Sequence, residues 1–76
     1  MAKYIIKNNL PTDHLKHVQE FGGKKEAKES FIYTYQVFSA LHPCKMYIRD
    51  EKGMTLRGTI QIEIGGFFYY VELFKV

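Results

Sequence analysis

The chain of 76 residues contains no tryptophan, one cysteine and two prolines. Each shortage excludes something. A single cysteine, Cys44, cannot build an internal disulfide framework; this usage fits a reducing compartment, so the expected location is the cytoplasm. No stretch approaches the roughly 20 consecutive apolar residues of a transmembrane helix, so no membrane role is expected. Between Lys3 and Lys7 only Tyr4-Ile5-Ile6 are apolar in a row, too few for the core of a secretory signal. Blocks of like charge are also missing. Eleven Lys+Arg stand against eight Asp+Glu, a net charge of +3 that permits an anionic partner without demanding one. There is no internal repeat, low-complexity tract or linker, so a single compact domain over residues 1–76 is expected.

Aromatics, by contrast, are plentiful: six Tyr and six Phe. A domain this small buries only roughly 60% of its unfolded surface, so its core cannot hide all twelve rings. Some are expected at the surface or in an interface.

Residues 3–7 read as a short strand closed by Asn8-Asn9. A helix is expected next. Thr12 is a suitable N-cap, Asp13 suits the first turn, and Leu15, Val18 and Phe21 recur at spacing three. Gly22-Gly23 ends it after about nine residues, too few for stability without docking. Residues 24–42 admit two readings. Phe31-Ile32-Tyr33-Thr34-Tyr35-Gln36-Val37-Phe38 is rich in β-preferring residues and predicts a strand over 30–38. The alternative is one long helix over 24–41 with Ala27, Phe31, Tyr35, Phe38 and Leu41 along one face. Lys24-Lys25-Glu26-Ala27-Lys28-Glu29 reads as a solvated, self-neutralising stretch.

The second half has clearer periodicity. Cys44, Met46 and Ile48 alternate with Lys45, Tyr47 and Arg49, and Asp50-Glu51-Lys52-Gly53 is a turn. Leu56, Gly58, Ile60, Ile62 and Ile64 then alternate with Arg57, Thr59, Gln61 and Glu63. Gly65-Gly66 marks a two-residue hairpin, because primed turns need positive φ. With that loop, Ile64 faces Phe67, Ile62 faces Tyr69, Ile60 faces Val71 and Gly58 faces Leu73. The opposite face pairs Glu63 with Phe68, Gln61 with Tyr70, Thr59 with Glu72 and Arg57 with Phe74. The fold class expected is α+β: a small antiparallel β-sheet in β-α-β-β-β-β order, with one short helix packed on one face. That helix covers the aliphatic face and leaves the other to water or a partner.

Lys45, Tyr47, Arg49, Arg57, Gln61, Phe68, Tyr70 and Phe74 form the candidate partner-binding set on the uncovered face. Tyr, Phe and Arg are favoured anchors at protein interfaces, and rings beside cations also suit single-stranded nucleic acid. If the 24–42 segment covered this face, the same rings would be ordinary core. Catalytic sets are poor. His42 precedes Cys44 by two residues with Pro43 between, and Glu63 and Glu72 do not face each other, so no catalytic residue is assigned. His14, His17, His42 and Cys44 are the conceivable zinc ligands, but structural sites bring more cysteines at tighter spacing; no metal and no cofactor are expected.

Gly53-Met54-Thr55-Leu56-Arg57-Gly58-Thr59-Ile60, following Met46-Tyr47-Ile48, faintly resembles the first motif of Sm-like RNA-binding proteins. The resemblance runs from Pro43 to Leu73, about two-fifths of the chain, and departs from the family at Gly65-Gly66, where a polar turn belongs. No Sm function or binding residue is carried over. In size and character the chain also resembles small phage and mobile-element inhibitors of host defence enzymes. The expected function is therefore that of a non-enzymatic interaction protein docking its aromatic-basic face on a protein, in its sharpest form an anti-CRISPR-like inhibitor of a nucleic-acid-handling complex. The alternative is direct binding of single-stranded RNA or DNA; a free sheet edge also leaves room for a homodimer.

Overall fold

A computed structural model describes residues 3–12, 16–53 and 55–76. In chain order its elements are β1 (Tyr4–Asn8), β2 (Val18–Phe21), α1 (Lys24–Ser39), β3 (Cys44–Arg49), β4 (Arg57–Ile64) and β5 (Phe67–Lys75). The strands form one sheet in the order β2-β1-β5-β4-β3, every neighbouring pair antiparallel. The helix lies on one face, as the α+β reading expects. The Cα trace is only 16 Å across its thinnest axis, room for a sheet and one helix and no third layer.

The β4–β5 hairpin follows from its local chemistry. Gly65 and Gly66 take φ of +60° and +86°, the primed geometry whose twist matches the flanking strands. The pairing is then Ile64 with Phe67, Ile62 with Tyr69, Ile60 with Val71 and Gly58 with Leu73, the expected register. β3 extends the sheet with Cys44 opposite Ile62 and Met46 opposite Ile60. On β5's other side, β1 pairs Ile6 with Leu73, bringing Tyr4 and Ile6 into the core.

The structure corrects two assignments, and with them the position of the helix in the element order. Val18–Phe21 is a strand, not part of a helix, and pairs Lys7 with Val18 and Tyr4 with Phe21. The spacing-three stripe fails there because Val18 is exposed while Phe21 packs against the core. Asn8 ties the end of β1 to the residues before β2: its Nδ2 donates to the Lys16 carbonyl (3.2 Å), and its Oδ1 accepts from the Leu10 N–H (3.1 Å). Asp13 and Leu15, assigned to that helix, lie outside the described residues. Thr12, its expected N-cap, precedes no described helix; its N–H donates to the Leu10 carbonyl.

The second correction concerns 30–38, which is helical: the long-helix alternative holds, from Lys24 to Ser39. Strand preference in isolated residues yields here to burial. A helix sets Ala27 and Phe31 fully inside and lays Tyr35 and Phe38 against the same core, while Leu41, assigned to that face, lies exposed beyond the helix end.

Two contacts fix α1 on the sheet. The first is Phe31 over Gly58: a Cβ built on Gly58 would stand 2.6 Å from Phe31 Cε2 and 2.7 Å from Cζ. The ring occupies the space a side chain would need. The second is a clip at the helix start. Lys24 and Lys28 each donate to Asp50 at 2.6 Å, one to Oδ1 and one to Oδ2. Lys24, in the first turn, opposes the helix dipole, and the Asp50 carboxylate offsets it. The lysine stretch is thus partly engaged rather than simply solvated.

Gly58→Ala is expected to destabilise the fold by about 1–3 kcal/mol through overpacking, read as a lower urea midpoint. Adding Phe31→Leu should recover part of the loss; equal midpoints for Gly58→Ala and the wild type would show that the ring does not need the space. The clip predicts a pH dependence. The two lysines hold the Asp50 carboxyl below its ordinary value of 3.8, so its contribution is present above that value and lost as pH falls through the depressed one. Asp50 raises the Lys24 pKa above 10.5, so that contribution is present below 10.5 and lost as pH climbs through the raised value. Asp50→Asn should flatten both limbs of a melting-temperature profile against pH, and an unchanged profile would remove the clip's role.

Candidate interaction face

Because side chains alternate along each strand, the register that buries the aliphatic set turns a second set outward on the face away from α1. Successive cross-strand rows can be read off the pairing. Lys45 faces Gln61, which faces Tyr70. Tyr47 faces Thr59, then Glu72, Lys7 and Val18. Arg49 faces Arg57; the register continues to Phe74, Ile5 and Glu20. Phe68 faces Glu63 at the hairpin end. All eight residues assigned to the partner-binding set therefore share one face.

Their exposure differs. Tyr47 is 63%, Phe68 53% and Tyr70 43% exposed, and Lys45, Arg49 and Arg57 are open to solvent. Gln61 and Phe74 are half-buried, Phe74 between the Arg57 and Ile5 positions. The relief is shallow. One depression of about 280 Å³ is lined by Tyr47, Arg49, Arg57, Thr59, Glu72 and Phe74, with Gly58 and Leu73 beneath. Another, of about 320 Å³, lies between Pro43, Lys45, Gln61, Glu63 and Phe68. A third lies between Lys7, Asn9 and Tyr70.

Charge on the face is mixed. Lys3, Lys7, Lys45, Arg49 and Arg57 stand against Glu20, Glu63 and Glu72, five minus three, or +2. Lys3 lies 3.7 Å from Glu20, a solvent-exposed pair of little energetic weight. Neither Arg49 nor Arg57 is ion-paired among the described residues.

Some members of the face escape a reading of the C-terminal half alone. Ile5 and Lys7 join because β1 pairs with β5, which consecutive apolar residues at Ile5-Ile6 do not announce. Asn9 is a positioning residue: its Oδ1 accepts the Tyr70 N–H at 2.8 Å and its own N–H donates to the Tyr70 carbonyl at 3.3 Å. The Asn8-Asn9 pair signals only the strand's end. A second apolar set, Tyr33, Val37 and Leu41 with Phe67 at the hairpin end, is exposed on the helix side and has no comparable row of rings and cations; Phe67, paired with Ile64 on the aliphatic face, lies beyond the cover of the helix.

The weaker chemical candidates are separated. His42 stacks on Phe38 with ring centroids 6.4 Å apart, and the His17 ring lies 3.1 Å from the Leu10 carbonyl. Cys44 packs against the core, where burial pushes its thiol pKa up, away from the reactive thiolate. His14 lies outside the described residues. Among the described residues no three His, Cys, Asp or Glu side chains converge as metal ligands. Glu63 and Glu72 keep Phe68 and Thr59 as partners and do not face each other. What the face offers is ring stacking, apolar contact and charge-assisted hydrogen bonding.

Asn9→Ala should speed amide hydrogen exchange at Tyr70 while leaving exchange at Ile60 and Val71 unchanged. Unaltered exchange at Tyr70 would show that β5 holds its place without Asn9.

Among the described residues no helix is long and apolar enough to cross a membrane. Comparison of the chain with known protein families, curated proteins and solved structures found no match.

Proposed function

We propose that the protein is a non-enzymatic interaction module that docks the face opposite α1 on another protein. The observation that carries this reading is the exposure of Tyr47, Phe68 and Tyr70 on a sheet face to which the described residues supply no covering layer. Rings held on paired strands lose little conformational freedom on binding, which makes them effective anchors. Gln61 and Phe74 lie among them, and Lys45, Arg49 and Arg57 lie at the margin, where charge selects orientation and partner. In its sharpest form the proposal is an inhibitor that occludes a nucleic-acid-handling complex, as small phage and mobile-element proteins do. That form is supported by size and a mildly basic balance alone, and it places the protein in the cytoplasm. Carboxylates interspersed with the cations weigh against a track for a nucleic-acid backbone.

The test is a variant carrying Tyr47→Ser, Phe68→Ser and Tyr70→Ser. It is expected to keep the wild-type circular dichroism spectrum and to lose the proteins that the wild type retains from a native lysate. Loss of one anchoring ring typically costs about 2 kcal/mol of binding, so three remove detectable retention. Equal retention by both proteins would refute the docking face, and so would unfolding of the variant, which would make the rings part of the sheet's stability. Retention of a labelled oligonucleotide that falls steeply with salt would move the assignment to nucleic acid.

A further inference from the structure

Arg49 and Arg57 are direct cross-strand partners on the open face. Like charges directly opposite one another destabilise a sheet, so this pair works against the fold that holds it. The carboxylate next in the chain does not relieve it, because both Asp50 oxygens are committed to Lys24 and Lys28 on the helix side. Glu72 lines the same depression, but its register partner toward the sheet's other side is Lys7. Two guanidiniums with one carboxylate thus border a hollow of about 280 Å³, flanked by the Tyr47 and Phe74 rings.

We infer that the Arg49–Arg57 pair is an anion subsite that takes an acidic side chain, Asp or Glu, of a protein partner. The inference rests on the docking reading above and names the chemistry of what docks. A carboxylate between two guanidiniums accepts charge-assisted, bidentate hydrogen bonds and removes the repulsion between them. The choice of occupant follows from charge complementarity. The pair is a local concentration of positive charge on a face whose other cations alternate with Glu20, Glu63 and Glu72, which suits one discrete anion and not a continuous polyanion.

The probe is hexaglutamate, titrated at low salt into isotopically labelled protein, with hexaglutamine and dodecathymidylate in parallel. Hexaglutamate is expected to move the Arg49 and Arg57 Nε–Hε signals saturably, with hexaglutamine leaving them in place. Arg57→Glu should abolish that response and raise the melting temperature by a few degrees, since it converts a repulsive cross-strand pair into an attractive one. A purely structural arginine would give the opposite sign. Arg57→Gln, which keeps the length and loses the charge, should also abolish the response and serves if Arg57→Glu does not fold. The inference is overturned if hexaglutamate produces no saturable shift, if Arg57→Gln retains the shift, or if dodecathymidylate saturates the same signals at lower concentration. Failure here, with the three-ring variant still losing its partner, removes the subsite and leaves the docking face. Loss of the peptide response in Arg57→Gln, with the three-ring variant keeping every protein, supports the subsite and removes the face.

Discussion

The absence of a side chain at Gly58 is the constraint on which the two-layer arrangement depends. Phe31 enters the space above β4 that any Cβ would fill, and it is fully buried there. Around that contact the helix brings Ala27, Tyr35 and Phe38 onto Tyr4, Ile6, Leu56, Ile60, Ile62, Val71 and Leu73. A glycine within a strand weakens it, since it adds backbone entropy to the unfolded state and packs nothing of its own. Here the neighbouring layer supplies the missing contact. Because β4 alternates, Gly58 lies beneath the ring while Arg57 and Thr59, on either side of it, belong to the opposite face. The strand that seats the helix also carries the middle of the interaction face.

That division accounts for the chain's unusual stock of aromatics. Phe31 is spent wholly on the core, and Phe21, Tyr35, Phe38 and Tyr69 are packed against its rim. Tyr47, Phe68 and Tyr70 remain outside on the open face, where the described residues supply no layer to cover them, and Tyr33 and Phe67 are exposed on the helix side. Exposed rings on a flat sheet are a liability for solubility unless charges break them up, and Lys45, Glu63 and Glu72 do so on adjacent strand positions. The outer edge is treated in the same way: β3 carries Lys45 and Arg49, which discourage indiscriminate strand addition.

How much of this was legible beforehand depends on where pairing is encoded. In the second half, alternation over Arg57–Ile64 and two adjacent glycines specify both the faces and the register, so the members of the candidate site could be named by counting. Between residues 12 and 39 the determinants are tertiary. β2 is four residues with two polar ones in its middle, and it is a strand because β1 offers it an edge. α1 contains Ile32, Tyr33, Thr34 and Val37, good strand residues in isolation, and it is helical because only that geometry puts Ala27 and Phe31 on the same patch of sheet. Ile5, Lys7 and Asn9 entered the face by the same non-local route, through the pairing of β1 with β5.

The strand order has a consequence for how the molecule comes into being. β5 lies between β1 and β4, yet it follows both in the chain. A nascent polypeptide that has emerged only as far as β4 holds two strand pairs, β1–β2 and β3–β4, with no strand between them and only the packing of α1 to link them. Vectorial synthesis therefore cannot assemble the sheet piecemeal. Residues 67–75 must clear the ribosome before the two strand pairs join in one sheet, and the β1–β5 pairing that completes it is a long-range closure, the kind of contact that costs more loop entropy to form than a local one.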